Sequence, residues 1–223
     1  MAKAGDNTSF GAVALAALAR QSFDLGAADD GLQIVQLAQR GTRTTATPRL
    51  RAMLATREAW AHAHLGDVRG FRHAVETAED VHADADADSD SEPPWLRGFD
   101  TAELMGTIGA RYRDLARHDA GQAAGAVDYL SRALDMRDVG RARNRAFDLV
   151  SLGRAHLITG EPQRAAAAVA SALPHVDRRR PGRLHRKLGE WHGEAARFAA
   201  VPAVAEIRDR VRDVVAAPGS ATA

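Results

Sequence analysis

Several residue types are missing or rare in this chain of 223 residues, and each absence excludes a class of site. Because there is no cysteine, disulfide bonds, thiolate zinc sites and a cysteine nucleophile are excluded. Lys and Arg together number 30 and Asp and Glu 29, so the net charge of +1 provides no chain-wide basic footprint for nucleic acid. Aromatic residues make up only 5% of the chain, and almost all of the positive charge is arginine.

Long apolar segments are missing as well. The longest apolar run near the N-terminus covers residues 11–19, whereas a helix that spans a bilayer needs about 20 residues. Polar residues 6–9 separate this run from Lys3, which argues against a signal peptide. We therefore expect a soluble, cytoplasmic protein with no membrane partner.

A short motif is written four times along the chain. A glycine is followed five residues later by a small or aromatic contact residue, then four on by a bulky apolar residue, then three on by an alanine. The copies are Gly26-Gly31-Val35-Ala38, Gly66-Phe71-Val75-Ala78, Gly121-Ala126-Leu130-Ala133 and Gly160-Ala165-Val169-Ala172. Self-similarity near 40 residues indicates stacked helical hairpins. We predict an all-α fold, a right-handed superhelical solenoid of about five helical hairpins.

The spacing of the four glycines also predicts the domain organisation. Two of the three intervals are 40 and 39 residues, but the interval from Gly66 to Gly121 is 55, which indicates an acidic, aspartate-rich loop inserted at residues 82–94. Residues 10–177 are then four hairpins, with Thr8 and Ser9 as N-cap before Phe10. The last pair, 178–216, lacks the motif and is predicted to cap the solenoid. Residues 1–9 and 217–223 are expected to be disordered.

Three stretches carry a resemblance to a known family. The pattern Leu152-Gly153-x-x-His156-x-x-x-Gly160-Glu161-x-x-x-Ala165 resembles a tetratricopeptide repeat. Residues 55–67, 93–115 and 141–165 resemble the C-terminal repeat region of actinobacterial XRE-type transcriptional regulators. This resemblance, over about residues 9–215, implies a regulatory interaction domain. In that family an N-terminal helix-turn-helix domain reads DNA; the residues given before Phe10 do not contain this motif, so DNA binding is not carried over.

In repeats of this type the first helix of each pair builds the concave wall, and its residues are the candidate ligand-binding positions. Arg20, Trp60 and Arg154 each lie six residues before a hairpin glycine, and His64 lies two before Gly66. A tryptophan can stack on a ligand while arginines grip a carboxylate or phosphate. Asn144 is added from a resemblance to peptide-pheromone receptors, in which asparagines clamp a peptide backbone. The alternatives are that Trp60 packs on the next hairpin and that the arginines and Asn144 are solvated.

The leading hypothesis is a non-catalytic sensory module that binds a peptide, a small molecule or a protein segment in its concave groove. Alternatives are a homodimerisation scaffold without a ligand and, less favoured by the near-neutral charge, a helical-repeat nucleic-acid binder that uses the basic C-terminal third. Metalloprotease, P-loop and hydrolase motifs do not occur, and His62 and His64 point about 200° apart on a helix, so they cannot share a metal ion. We therefore expect no enzymatic activity, no metal and no cofactor.

Overall fold

The computed structural model describes residues 2–85, 93–138, 140–177 and 182–216, and within these ranges every regular element is helical. The ten α-helices are α1 (Ala2–Asp24), α2 (Ala28–Gly41), α3 (Pro48–Leu65), α4 (Val68–Ala85), α5 (Thr101–Leu115), α6 (Ala123–Met136), α7 (Ala142–Ile158), α8 (Pro162–Ala172), α9 (Arg183–Glu194) and α10 (Pro202–Ala216). Short 3-10 turns occur at Ala120–Gln122, Leu173–His175 and Ala195–Phe198. The predicted all-α class is confirmed.

The helices pack in neighbouring pairs, which the chain order brings together: α1 with α2, α3 with α4, α5 with α6, α7 with α8 and α9 with α10. A second set of contacts links the pairs, because each odd-numbered helix also packs on the next odd-numbered helix, from α1 through to α9. One row of first helices therefore runs through all five pairs.

Three of the four motif glycines end a helix or turn in the left-handed region. Gly26, Gly66 and Gly160 have φ of 80°, 71° and 76°, a conformation that favours glycine because it has no Cβ. Gly121 differs from these three glycines. Helix α5 already ends at Leu115, and Gly121 lies in a 3-10 turn where its backbone N–H donates to Asp119 Oδ1 over 3.1 Å. In this copy, a hydrogen bond to the side chain of Asp119 stabilises the turn, and the glycine does not adopt the left-handed conformation.

The remaining motif positions form the contact face of the even-numbered helices. Their bulky apolar members, Val35, Val75, Leu130 and Val169, are all buried, and the alanines three residues later are buried with them. Glycines on the first helices allow close approach in two pairs. A Cβ at Gly109 would lie 2.9 Å from the backbone nitrogen of Leu130, and a Cβ at Gly153 would lie 3.0 Å from the carbonyl oxygen of Ala165.

Gly109→Ala is therefore expected to lower the free energy of unfolding by about 1–3 kcal/mol, because the new methyl group meets the backbone of α6. The matched control is Gly189→Ala in α9, where nothing lies within 4 Å of the added Cβ. That change should be neutral or stabilising by up to about 1 kcal/mol through helix propensity. Urea titrations followed by circular dichroism measure both changes. Equal stabilisation of the two variants would contradict the close packing of α5 on α6.

The fifth pair continues the row rather than forming a separate unit. Leu188 and Trp191 on α9 and Val211 and Val214 on α10 share one apolar cluster with Val169 of α8, and all five are buried. The pair lacks the repeated motif, as predicted for a capping pair, yet it seals the apolar face of α7 and α8.

Two predicted boundaries differ from the structure. Helix α1 begins at Ala2 instead of Phe10, so Thr8 and Ser9 lie inside the helix and do not cap it. Helix α4 continues to Ala85, so the first residues of the segment predicted as an acidic loop, 82–94, are helical. His82 belongs to this helical part of the segment. Its side chain is buried, and its Nε2 lies 3.4 Å from the carbonyl oxygen of Phe99. Residues 86–92 and the predicted tail 217–223 lie outside the described residues.

Across the described parts of the chain, no helix combines the length and the apolar character that crossing a membrane requires.

Candidate functional site

A cavity of about 450 Å³ opens along the row of odd-numbered helices. Its walls combine side chains of α1, α3, α5, α7 and α9 with Arg137, which directly follows α6. Nine cationic side chains line it, against three carboxylates, Asp24, Glu103 and Asp148. The chain as a whole is nearly neutral, so the fold has concentrated positive charge on one surface.

Five of the nine cations are matched by carboxylates. Arg137 donates from Nε to Asp148 Oδ2 over 2.6 Å and from Nη1 to Glu103 Oε2 over 2.9 Å. The other pairs are Arg186 with Asp24 at 3.0 Å, Lys187 with Glu190 at 3.3 Å, and Arg111 and Arg113 with the shared Asp114. The pairs of Arg137 and Arg186 link different helices, whereas those of Lys187, Arg111 and Arg113 lie within one helix, and in every case the positive charge is matched by a carboxylate.

The other four cations, Arg20, Arg57, Arg143 and Arg183, form no ion pair with any carboxylate of the described residues. They come from four different helices, α1, α3, α7 and α9, and all line the cavity. The Nε of Arg57 is buried and has no hydrogen-bond partner. We call this set the four-arginine cluster.

The members of the four-arginine cluster repel one another. Burial first, and then the charge of Arg20, lower the pKa of Arg57 to about 10, although Glu103 acts in the opposite direction. The pKa of Arg183 is lowered by burial and then by Arg20 and Arg143. The charged groups are therefore close enough to feel each other, and an anion placed between them would relieve the repulsion.

Trp60 lies in the cavity wall, as predicted, but its ring is already packed. The guanidinium of Arg111 lies 3.7 Å from the centroid of the Trp60 ring, and the Phe23 ring centroid lies 5.0 Å from it. The indole Nε1 donates to His64 Nε2 over 2.8 Å, and Trp60 is only 9% exposed. These contacts favour the alternative in which Trp60 packs within the fold.

His64 does not reach the main cavity. It borders a separate, smaller pocket of about 350 Å³ with Asp114, Arg117 and His118. Burial is the main cause that lowers its pKa, which favours a neutral ring that accepts the Trp60 hydrogen bond. The sequence predicted His64 on the groove because it lies two residues before Gly66, but the face of α3 that lines the cavity ends at Trp60.

Arg154 is a correction to the predicted site, because it does not line the cavity. It is 4% exposed, so it is neither a ligand grip nor a solvated side chain. Its Nε donates to Glu194 Oε2 over 2.8 Å, and its two Nη groups pair with Glu190 and Glu194. Helix α9 packs directly on α7 and presents these two carboxylates one turn apart, which consumes the positive charge of Arg154.

Arg20 on α1 and Asn144 on α7 do line the cavity. Arg20 belongs to the four-arginine cluster. Asn144 donates from Nδ2 to Glu103 Oε2 over 2.7 Å, the same oxygen that accepts from Arg137. Its amide therefore orients a carboxylate at the wall and is not a solvated side chain.

Sequence reasoning missed the positions that line the cavity most regularly. Counting back from a hairpin glycine, the residues thirteen before it are Val13, Met53 and Phe147, and those nine before it are Ala17, Arg57 and Ser151; all six line the cavity. Offsets of thirteen, nine and six follow one helix face. The repeat contained these positions, but only the offsets of six and two residues were considered.

No family model, curated protein or solved structure matches this chain. Within the described residues, no group of three or more His, Asp or Glu side chains is placed to hold a metal ion. What the cavity does is therefore inferred from its own residues.

Proposed function

We propose that the protein is a non-catalytic recognition module of the cytoplasm that holds a peptide, a small molecule or a segment of a partner protein in this cavity. The observation that carries the proposal is the cavity itself, to which the first helix of every pair contributes. A catalytic role is not favoured, because the hydroxyl groups of Thr107 and Ser151, which also line the cavity, form no hydrogen bond with a carboxylate or histidine of the described residues.

The proposal extends to the architecture. Five helical pairs, a contact along the row of first helices and the motif on the second helices support a right-handed superhelix of the tetratricopeptide type. The kinship with XRE-type regulators, and a role in transcriptional control, remain part of this proposal and depend on the resemblance of residues 55–67, 93–115 and 141–165. DNA would then be contacted only through a helix-turn-helix domain of an intact relative.

A ligand in this position would act on the relative placement of the pairs. The four-arginine cluster joins α1, α3, α7 and α9, so an anion that touches several of its members links the first pair to the last. Because the members of the cluster repel one another, a bound anion would favour a more closed arrangement of the row, and this population shift is the signal an attached domain could read.

The proposal is tested by thermal unfolding with four probes: hexaglutamate, citrate, inorganic triphosphate and hexalysine. At least one anion at about 100 times its Kd should raise Tm by about 5–10 °C, and hexalysine should not. The double variant Arg20→Gln/Arg143→Gln should lose the shift. The control, Arg132→Gln/Arg212→Gln, removes the same charge from exposed ion pairs on α6 and α10 and should keep it. An equal shift in both double variants, or no shift with any anion, would refute binding in the cavity.

A homodimerisation scaffold is the second candidate, and one observation favours it. At the α1–α2 end of the row, Phe10, Leu18, Leu25 and Leu37 are large apolar side chains that are about half exposed or more. If two copies meet there, light scattering should give a dimer mass that Leu18→Glu converts to a monomer mass. A monomer for the unmodified chain at all concentrations would remove this candidate.

A further inference from the structure

We propose that the ligand of the cavity is a compact polyanion of the oligophosphate class, held by the four-arginine cluster, either as a free phosphate chain or as the phosphate end of a nucleotide. This inference rests on the proposed function and specifies its ligand. It is based on the four arginines that have no carboxylate partner among the described residues. These four were not identified as a group from the sequence.

Positive charge is concentrated around the cavity. Five cations of the wall have carboxylate partners, whereas Arg20, Arg57, Arg143 and Arg183 have none among the described residues and converge on one cavity of about 450 Å³. Arg143 and Arg183 are exposed and Arg20 and Arg57 are half-buried, so solvent screens part of their charge, but four cations around one cavity still create a positive potential that attracts an anion. A single carboxylate offers one negative charge, so several charges within a few ångströms are needed to match the cluster.

Two arginines that line the cavity have hydrogen-bond donors without a partner. Arg57 Nε is buried without a partner, and Arg113, whose side chain is 3% exposed and lines the cavity, has no partner for Nε or Nη1. Guanidinium groups prefer oxyanions that accept two parallel hydrogen bonds. Donors that approach from several helices suit a tetrahedral phosphate, whose oxygens point in several directions, better than a planar carboxylate.

The arrangement of the arginines favours a phosphate chain over an acidic peptide. Consecutive peptide residues lie about 3.3–3.6 Å apart and their carboxylates alternate in direction, so a peptide spreads its charge along a line. The cluster instead gathers charge from α1, α3, α7 and α9 around one space. A phosphate chain places comparable charge in a much smaller volume.

The cavity also has an apolar part that suits an organic group attached to the phosphates. Val13, Ala16, Met53 and Phe147 line it beside the arginines. The guanidinium groups of Arg183 and Arg143 lie 5.4 Å and 6.0 Å from the Phe147 ring centroid, and that of Arg57 lies 5.7 Å from the Trp60 ring, so three members of the cluster lie over an aromatic face. Pockets of about 300–1,000 Å³ commonly enclose one small molecule, and this volume falls within that range.

The test is isothermal titration of the full chain with orthophosphate, inorganic triphosphate, ATP, GTP and hexaglutamate at low and moderate salt. Triphosphate or a nucleoside triphosphate should bind at least 10-fold more tightly than orthophosphate or hexaglutamate. Arg57→Gln and Arg183→Gln should each weaken that binding by roughly 10- to 100-fold. Arg132→Gln, at an exposed ion pair outside the cavity, removes one charge equally and should leave Kd within about threefold.

A folding defect is distinguishable from lost binding. Without added anion, Arg57→Gln should keep or raise Tm, because it removes a repelled charge that has no ion pair. Equal affinity for ATP, GTP and free triphosphate would assign recognition to the phosphate chain alone, and 10-fold tighter binding of a nucleotide would assign its base to the apolar part; both support the proposal.

Two outcomes would overturn it. Triphosphate and nucleotide affinity that is the same in Arg57→Gln and Arg132→Gln, or no binding at millimolar concentration, removes the oligophosphate assignment. If hexaglutamate or citrate then binds in an Arg20- and Arg143-dependent way, the recognition function stands with a different ligand. If the affinity of no anion depends on these arginines, both proposals are refuted.

Discussion

Asp114→Asn is expected to lower the free energy of unfolding by about 3–5 kcal/mol, because one carboxylate compensates two buried guanidinium groups. Asp114 pairs with Arg113 and, at 2.9 Å, with Arg111, and all three side chains are about nine-tenths buried. The amide of asparagine keeps the shape but removes the charge. Arg111 also lies over the Trp60 ring, and both side chains line the cavity. The change would therefore weaken the packing of this part of the cavity wall.

The same residue should determine part of the acid sensitivity. Burial alone would raise the pKa of Asp114, but Arg113 and Arg111 hold it well below its usual range. A carboxyl whose folded-state pKa is lowered contributes stability at neutral pH that is lost as the pH falls below about 5. The stability of the unmodified chain should therefore fall more steeply between pH 5 and pH 3 than that of Asp114→Asn.

The measurement is chemical denaturation of both chains at pH 7, 5, 4 and 3, with Asp128→Asn as the matched control. Asp128 pairs with Arg132 at 3.6 Å on the exposed side of α6, so its loss should change stability by no more than about 0.5 kcal/mol. A small effect of Asp114→Asn at pH 7, similar to that of the control, would contradict the assigned role of the shared carboxylate.

Arg137→Met is expected to lower the free energy of unfolding by about 2–3 kcal/mol, because it leaves the buried Asp148 carboxyl, whose pKa burial already raises to about 7, without its hydrogen-bond donor and cation. Arg137 is 1% exposed as a side chain and also donates to Glu103 and, over 3.2 Å, to the carbonyl oxygen of Ala102. It therefore ties the end of α6 to α5 and α7. Methionine keeps much of the length and apolar character of the stem.

A double-mutant cycle separates the ion pair from packing. Adding Asp148→Val to Arg137→Met should recover at least half of the lost stability, because the buried carboxyl without a partner disappears. Arg132→Met, at an exposed pair, controls for the loss of one arginine. If the double variant is less stable than the sum of the two single effects predicts, the Arg137–Asp148 pair is not the source of the loss.

Part of the candidate site was readable from the sequence because it follows from periodicity. The placement of Arg20 and Trp60 on the wall comes from counting back from hairpin glycines, and the same counting at offsets of nine and thirteen would have added Arg57 and Phe147. Repeated offsets place side chains on a common helix face whatever their partners.

Arg154 shows where that reasoning ends. It has the same offset from its glycine as Arg20 and Trp60, yet it is buried against two carboxylates of α9 that lie 36 and 40 residues further along the chain. Pairing across that distance depends on how the last helical pair docks, and periodicity within one hairpin carries no information on it.

The sequence by itself determined the helical class, the pairing of helices and the face of each second helix that packs, since these depend on local spacing of apolar residues and glycines. Only the tertiary structure decided which charges are neutralised and which are left on the cavity wall. Arg20 and Arg154 look alike in the chain, but attraction and repulsion between charges fall with distance, and the distances are set by helices remote in sequence.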